Sequence, residues 1–455
     1  VIVMKFGGTS VADSECMSRV ADIVRTRVDQ HPVVVVSALG GVTDLLEKAV
    51  AAARANDREA LEPVLAEIER RHRWVLSGCI EDAAARHDLS LAVDALFEDL
   101  RQLLRSIRVL GEGTPRASDT LLAFGEILSS QIVCAVLESR GVAARWIDPR
   151  EVMITDDRYG AARPDPTMTA EACARVIGPI LETGELPLTG GFVGSTPGGV
   201  TTTLGRGGSD TSASILGSVM EAREIQIWTD VPGLMTADPR LVPDARTLDS
   251  ISFAEVAELA AYGAKVLHPS AIAPAVERRI PVRILHSMNP EHPGTVILDS
   301  AGPDAPAIAS VASRRGITAL RLGGVERHAG PTLLRRLLDR AASSGIAPIL
   351  ILASEVAGTV ALADGPRVER LVREIEREHD TVDVLRGMAI VSIVGRGLAV
   401  DPGVRRDVME AVGDVGPEIA TLGGSASGVA SIVPESKLEA AVGTLHRRFF
   451  GGGQR

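Results

Sequence analysis

Residues 1–10 read VIVMKFGGTS, and the fold follows from how these ten positions are understood. Val1 to Met4 form a short apolar run with the character of a buried strand, and the chain turns on Gly7-Gly8 directly after a lysine and a phenylalanine. Lys5 has two readings at that place. It is a strand-end lysine that snorkels to water, or a cation held over a glycine turn to meet a phosphate. The same pattern recurs downstream. VVVVSALGG (33–41) is a second apolar run that ends in Ser37 and glycines, followed by helical sequence from Asp44. RWIDP (145–149), PLTGGFVG (187–194), EIQIWTD (224–230) and IPVRILH (280–286) read as further short strands. Residues 44–110 read as several helices, and 169–183 and 254–262 as two more. Strands alternating with helices over residues 1 to about 295 predict a largely parallel sheet covered on both faces. In such sheets ligands bind where strand ends meet helix starts.

DSAGPDAPA (299–307) is a proline- and glycine-rich boundary. Beyond it a βαββα plan appears twice. The first copy runs ITALRL, a helix over 331–344, APILILASE, GTVALA and a helix over 366–378. The second runs MAIVSIVG, a helix over 402–413, EIATLGG, GVASIVP and a helix over 434–447. Two copies are too few for a solenoid and predict a tandem pair of small regulatory or dimerising domains.

Composition narrows the function. The net charge of −11, with no compensating basic stripe, excludes a nucleic-acid polyanion as the expected partner. No apolar run reaches the roughly 18 residues of a membrane helix, so no membrane partner is expected. No signal-peptide pattern precedes the first strand, and Cys16, Cys79, Cys134 and Cys173 form no CxxC pair. A reduced, cytoplasmic setting is expected. Only four of the 48 basic residues are lysines (Lys5, Lys48, Lys265 and Lys437), against 44 arginines. Lysine is a compact point charge where arginine is a planar fork, which marks Lys5 and Lys265, both near glycine, for attention.

TTTLGRGGSDTSA (201–213) is the most informative stretch for chemistry. Three glycines surround Arg206, and Ser209-Asp210-Thr211 stand at the start of a helix. A glycine turn there offers backbone N–H groups and a positive dipole end to an anion; the plainer reading is a capped loop with Arg206 in water. In GEGTPRASDTLLAFGE (111–126), Arg116 and Asp119 are read as preceding a helix and Glu126 as lying on it. From its neighbours alone Glu126 reads as an exposed helix residue, with an amine ligand as the sharper alternative. WTDVPGLMTADPR (228–240) reads as loop chemistry, and His268 in YGAKVLHP (262–269) as structural.

Taken together, KFGGTSV (5–11), VVVSALGGVTD (34–44) and GEGTPRASDTLLAFGE resemble the aspartate kinases. TTTLGRGGSDTSA, WTDVPG and YGAKVLHP complete the match, in the same order and at similar spacing, and the tail is similar to tandem ACT domains. The resemblance implies an α/β amino-acid-kinase fold, a mainly parallel sheet sandwiched by helices, over 1–298. Two ferredoxin-like ACT domains would follow at 315–386 and 387–455, the second completed by a strand from 306–313. It also implies transfer of the γ-phosphoryl of ATP, with Mg²⁺ held mainly by the phosphates and not by protein side chains, to the β-carboxylate of L-aspartate. By resemblance Lys5 and Asp210 are catalytic, with Asp210 ordering the Lys5 ammonium. Ser37, Thr43, Glu126 and Arg206 would hold aspartate, Arg206 on the α-carboxylate and Glu126 on the ammonium. Lys5, Gly7, Gly8, Thr9, Ser10, Gly207, Gly208, Ser209, Thr229, Asp230, Met235, Asp238, Arg240 and Lys265 would bind ATP. A homodimer or higher homo-oligomer and an amino-acid effector at the ACT domains are further implications.

Two positions depart from the lysine-sensitive pattern. Met235 stands where a tyrosine is common near adenine, and Ile349 where an aspartate is expected. An ammonium buried without a carboxylate partner is poorly bound, so feedback by lysine through that pocket is not expected. The alternatives are another amino-acid kinase with a different carboxylate substrate and a non-catalytic ACT-type sensor. Joint retention of Lys5, Glu126, Arg206 and Asp210 argues against the sensor.

Overall fold

The strand predicted at the start of the chain is β1 (Ile2–Phe6), buried at every position. It runs parallel to β2 (Pro32–Val36) on one side. The computed structural model describes residues 1–263, 267–302, 305–323, 329–355, 357–378, 382–420 and 427–451. Residues 1–234 and 267–300 group as one compact unit, and residues 235–266 and 301–455 as another.

In the first unit, β3 (Ala144–Ile147) and β4 (Leu186–Gly190) extend the sheet beyond β2. On the other side of β1 stands β7 (Ile225–Thr229), followed by the strands Val282–His286 and Thr295–Leu298. Only the last of these pairings is antiparallel. A parallel sheet buried on both faces explains why β1 and β2 read as unbroken apolar runs. PLTGGFVG, expected as one strand, is two. It gives β4 and then β5 (Val193–Ser195), which pairs separately with β6 (Thr201–Thr203). The break falls where bare backbone is needed. A Cβ on Gly190 would lie 3.1 Å from the Glu126 Cβ, and one on Gly191 would lie 2.7 Å from the Ser209 Cβ.

Three long helices, Val42–Arg54, Arg58–Cys79 and Ala83–Leu110, fill the stretch expected to be helical. Asp57 and Asp82 cap the second and third by accepting backbone N–H groups. The next helix, Pro115–Ser139, starts earlier than expected. Thr114 accepts the Ala117 N–H and Pro115 occupies the first helical position, so Arg116 and Asp119 lie inside the helix and not before it. This helix is also long and apolar enough by composition to cross a membrane, contrary to the expectation that no such run exists. Its apolar residues are spent inside the protein, where Leu121, Leu128, Ile132, Val133, Val136 and Leu137 join the main core.

In the second unit the duplicated plan forms one six-stranded antiparallel sheet. The order is Leu350–Ala353, Ala357–Ala363, Ser310–Gly323, Val382–Val394, Gly428–Pro434, Ile419–Ala420. The two central strands are long enough to serve both copies, and their register shifts between Arg314 and Ala319. Leu320, Leu322, Val360 and Leu362 pack with the helix Pro366–Glu378, through Leu371 and Val372. Val391, Ile393, Val429 and Val433 pack with Pro402–Val415 and Leu438–Phe450, through Val408, Val442 and Leu445. Met235 and Thr247 form a bridge in this unit, and Ala237 pairs with Val311. All four cysteines are buried and free.

Candidate active site

Ile2, Met4 and Phe6 of β1 join the main core, so strand alternation turns Lys5 to the opposite face. There its ammonium lies 2.5 Å from the Asp210 carboxylate, with Lys5 only 8% exposed. The lysine is buried and paired, and the snorkelling reading fails. Asp210 sits in the first turn of the 12-residue helix Gly208–Val219. Gly207 caps that helix with φ +71°, a left-handed conformation that favours glycine. A Cβ on Gly8 would lie 2.9 Å from the Ala38 carbonyl oxygen, so the two loops after β1 and β2 touch backbone to backbone.

These loops and the Gly208 helix start open on a cleft of about 520 Å³. Of the predicted residues it takes in Lys5, Gly8, Ser37, Thr43, Glu126, Arg206, Gly207, Gly208, Ser209 and Asp210. Gly7, Thr9, Ser10, Thr229 and Asp230 do not line it. Ser10 is buried, and its hydroxyl lies 3.2 Å from the Trp228 carbonyl oxygen and 3.0 Å from the Ser287 hydroxyl. It braces the strand ends. Thr229 ends β7 with its hydroxyl donating to exposed Asp230 at 3.2 Å. Met235, Asp238 and Arg240 belong to the second unit. Arg240 forks onto Asp238 and holds its carboxyl below the usual range. Lys265 lies outside the described residues. His268 is exposed and precedes the helix Pro269–Glu277, with its Nδ1 2.6 Å from the Ser270 hydroxyl.

Glu126 overturns the reading drawn from its neighbours. It is buried, 3% exposed, on a helix that is apolar almost all round. Loss of hydration pushes its carboxyl up to about 8, against the smaller opposing effects of backbone N–H groups at Ala38 and Glu126 and of the Lys5 charge. Its Oε2 has no hydrogen-bond partner among the described residues. Arg206, by contrast, is exposed at the rim, on a turn made by Gly205 (φ +75°) and Gly207. The cleft therefore has one buried acid with an oxygen left unpaired, one exposed guanidinium and one buried ion pair. That set suits a zwitterion with a second anionic group directed at Lys5.

Several residues of the cleft were not singled out from sequence. Asp44 and Glu47, one turn apart on the helix after β2, line it, as do Leu122, Phe192 and Thr203. Phe192 has φ +64°, a strained value for an aromatic residue that nothing local announces. Asp119, fully buried, accepts hydrogen bonds from the Gly160 and Thr203 N–H groups and from the Thr203 hydroxyl, each at 2.9 Å. Burial pushes its carboxyl up and these three bonds pull it back. Among the described residues no group of three or more His, Cys, Asp or Glu side chains is placed to hold a metal ion.

Comparison with known proteins gives the family and the fold. The profile of the amino acid kinase family matches residues 1–286. The chain is 36% identical to the lysine-sensitive aspartokinase 3 of Escherichia coli (strain K12) over 470 residues, covering 99% of each chain. The crystal structure of E. coli aspartokinase III in complex with lysine and aspartate (T-state) matches with a TM-score of 0.85 at 34% identity, over 99% of both chains. That of the same enzyme in complex with aspartate and ADP (R-state) matches at 0.81 and 34%, over 99% of this chain and 100% of that one.

Proposed function

Because this chain belongs to the amino acid kinase family, we propose that the cleft around Lys5, Glu126, Arg206 and Asp210 is where it phosphorylates its amino acid. Its activity is that of an aspartate kinase. The γ-phosphoryl of MgATP passes to the β-carboxylate of L-aspartate, giving 4-phospho-L-aspartate and ADP, the first step toward lysine, threonine and methionine.

The observation that carries the site assignment is the buried Lys5–Asp210 pair at the mouth of a glycine turn. A carboxylate nucleophile is ionised at neutral pH and needs no general base; the obstacle is repulsion between it and the polyphosphate. Lys5 supplies positive charge to the equatorial phosphoryl oxygens, and Asp210 fixes where that charge sits. Gly7 and Gly8 leave backbone within reach of phosphate, with Thr9 and Ser10 as their neighbours in the turn. Gly207, Gly208 and Ser209 present a helix N-terminus to the same anion. Magnesium bound to the nucleotide phosphates adds to that neutralisation; the donor set around Lys5, a cation with backbone N–H and one carboxylate already paired, fits a metal carried by the phosphates. Arg206 takes the α-carboxylate, Glu126 the ammonium, and Ser37 and Thr43 offer hydroxyls to the β-carboxylate. The motif match supports nucleotide roles for Thr229, Asp230, Met235, Asp238, Arg240 and Lys265.

Residues 1–298 serve in this reading as the catalytic domain. Residues 315–386 and 387–455, with a strand from 306–313, serve as two ACT-like effector domains. Ile349, half-buried against an apolar cluster with its N–H donating to the Ala361 carbonyl, offers a lysine ligand no charge. Weak response to lysine follows. The sheet edges at Leu350–Ala353 and Ile419–Ala420, outermost among the described residues, support pairing of two copies as a homodimer. The four buried thiols support a reducing, cytoplasmic setting. Trapping the acyl phosphate with hydroxylamine tests the assignment of substrate. Hydroxamate forms with ATP and aspartate and not with glutamate; hydroxamate from glutamate alone would refute it.

A further inference from the structure

Asp119 does not line the cleft, yet its carboxylate joins two segments that do. One oxygen accepts the N–H of Gly160 and that of Thr203, and the other accepts the Thr203 hydroxyl. Thr203 closes β6 and lies three residues before Arg206. The same two segments meet again through the Ala162 N–H, which donates to the Thr203 carbonyl at 2.9 Å. A Cβ on Gly205 would lie 2.9 Å from the Gly160 carbonyl oxygen, so the turn and the start of the Arg206 loop are in direct backbone contact. Asp119 also stands seven residues before Glu126 on one helix, two turns and about 10 Å along the same face. One rigid helix thus carries the acid assigned to the substrate ammonium and the acid that ties down the loop of the guanidinium assigned to the α-carboxylate.

We propose that Asp119 is a positioning residue that sets where Arg206 stands over the cleft, and so fixes the spacing by which the site selects an α-amino acid. This rests on the assignment of Arg206 to the substrate α-carboxylate. Replacing the acid by its amide leaves one uncharged oxygen for the two backbone N–H groups and turns an N–H donor toward the Thr203 hydroxyl, so the anchor of the Arg206 loop weakens while Glu126 keeps its place.

The test is a double-mutant cycle on the full-length enzyme, with KM measured for both substrates. Asp119→Asn is expected to raise the KM for aspartate about tenfold, with the KM for ATP changed less than about twofold. In an Arg206→Ala background the same substitution adds little, because it acts through the residue already removed. Thr203→Val deletes only the hydroxyl donor, shifts the aspartate KM the same way by a smaller factor, and carries the test should Asp119→Asn fail to fold. An unchanged aspartate KM, equal losses for both substrates, or full additivity with Arg206→Ala overturns the proposal. Should Arg206→Ala itself leave the aspartate KM unmoved, it is the assignment of Arg206 that fails, a result separate from any seen with Asp119→Asn alone.

Discussion

Two buried glutamates, one in each unit, are treated in opposite ways. Glu255 in the second unit is 1% exposed and fully employed. One oxygen accepts the Ser252 N–H and hydroxyl, at 2.9 and 2.6 Å, and the other accepts the Arg396 N–H at 2.8 Å. Glu126 in the first unit is 3% exposed and keeps an oxygen without a partner. A buried carboxylate left short of donors costs stability, and a fold that retains one holds it for something that arrives later. The first glutamate fastens a helix start; the second is the one proposed above to receive the substrate ammonium. Ile349, partly buried against an apolar cluster, extends the contrast if it faces an effector as proposed above, since it offers a lysine ligand no charge.

The comparison can be broken at several points. Asp210→Asn should have the largest effect, because it strips the carboxylate from the buried lysine proposed to face phosphate. A loss of about a hundredfold or more in kcat is expected in a coupled ADP assay. Near-normal turnover would remove Asp210 from the account. Glu126→Gln should raise the aspartate KM about thirtyfold, as expected for losing a charge-assisted bond to ammonium, with little change for ATP.

The same variant has a pH signature. The Glu126 carboxyl sits at about 8 in the folded protein, against 4.5 when unburied. Between those values the native state holds a proton that the unfolded chain has released, so native stability falls as pH rises through that window. Glutamine removes this dependence. Denaturant titration should find Glu126→Gln more stable than the parent by about 2–4 kcal/mol near pH 8, with the gap closing toward pH 4. Glu255→Gln should do the reverse. It loses bonded charge and should cost about 1–3 kcal/mol, with both KM values near those of the parent. If both glutamine variants lose stability near pH 8, the distinction between the two glutamates is wrong. The smallest effect is expected from lysine itself. At millimolar concentration it should change the rate by less than about twofold, since Ile349 cannot pair with its ammonium; strong inhibition would mean that lysine is bound elsewhere.

Much of this was legible in the chain. The strands of the first unit declare themselves because both faces of a parallel sheet are buried, and the repeated tail declares itself through its twofold pattern. Lys5, Arg206 and Asp210 could be nominated from glycine turns at strand and helix ends. Glu126 could not be placed by periodicity, because a helix that is apolar on every side has no polar face to assign it to. Asp119 was hidden for a related reason. Its three partners, at Gly160 and Thr203, are 41 and 84 residues away, and two of the three are backbone groups that carry no side-chain signal. Ser10 shows what a motif leaves out: its hydroxyl also braces the strand ends, through the Trp228 carbonyl and the Ser287 hydroxyl, which no local pattern announces.

The most direct measurement of the central claim is hydroxamate formation from aspartate by Lys5→Ala, run beside the parent enzyme and with its fold checked by circular dichroism. The account predicts a folded protein whose rate falls by more than about a hundredfold at saturating ATP and aspartate, because the charge that offsets the transferring phosphoryl group is gone. A folded Lys5→Ala protein that forms aspartyl hydroxamate at the parent rate would contradict it.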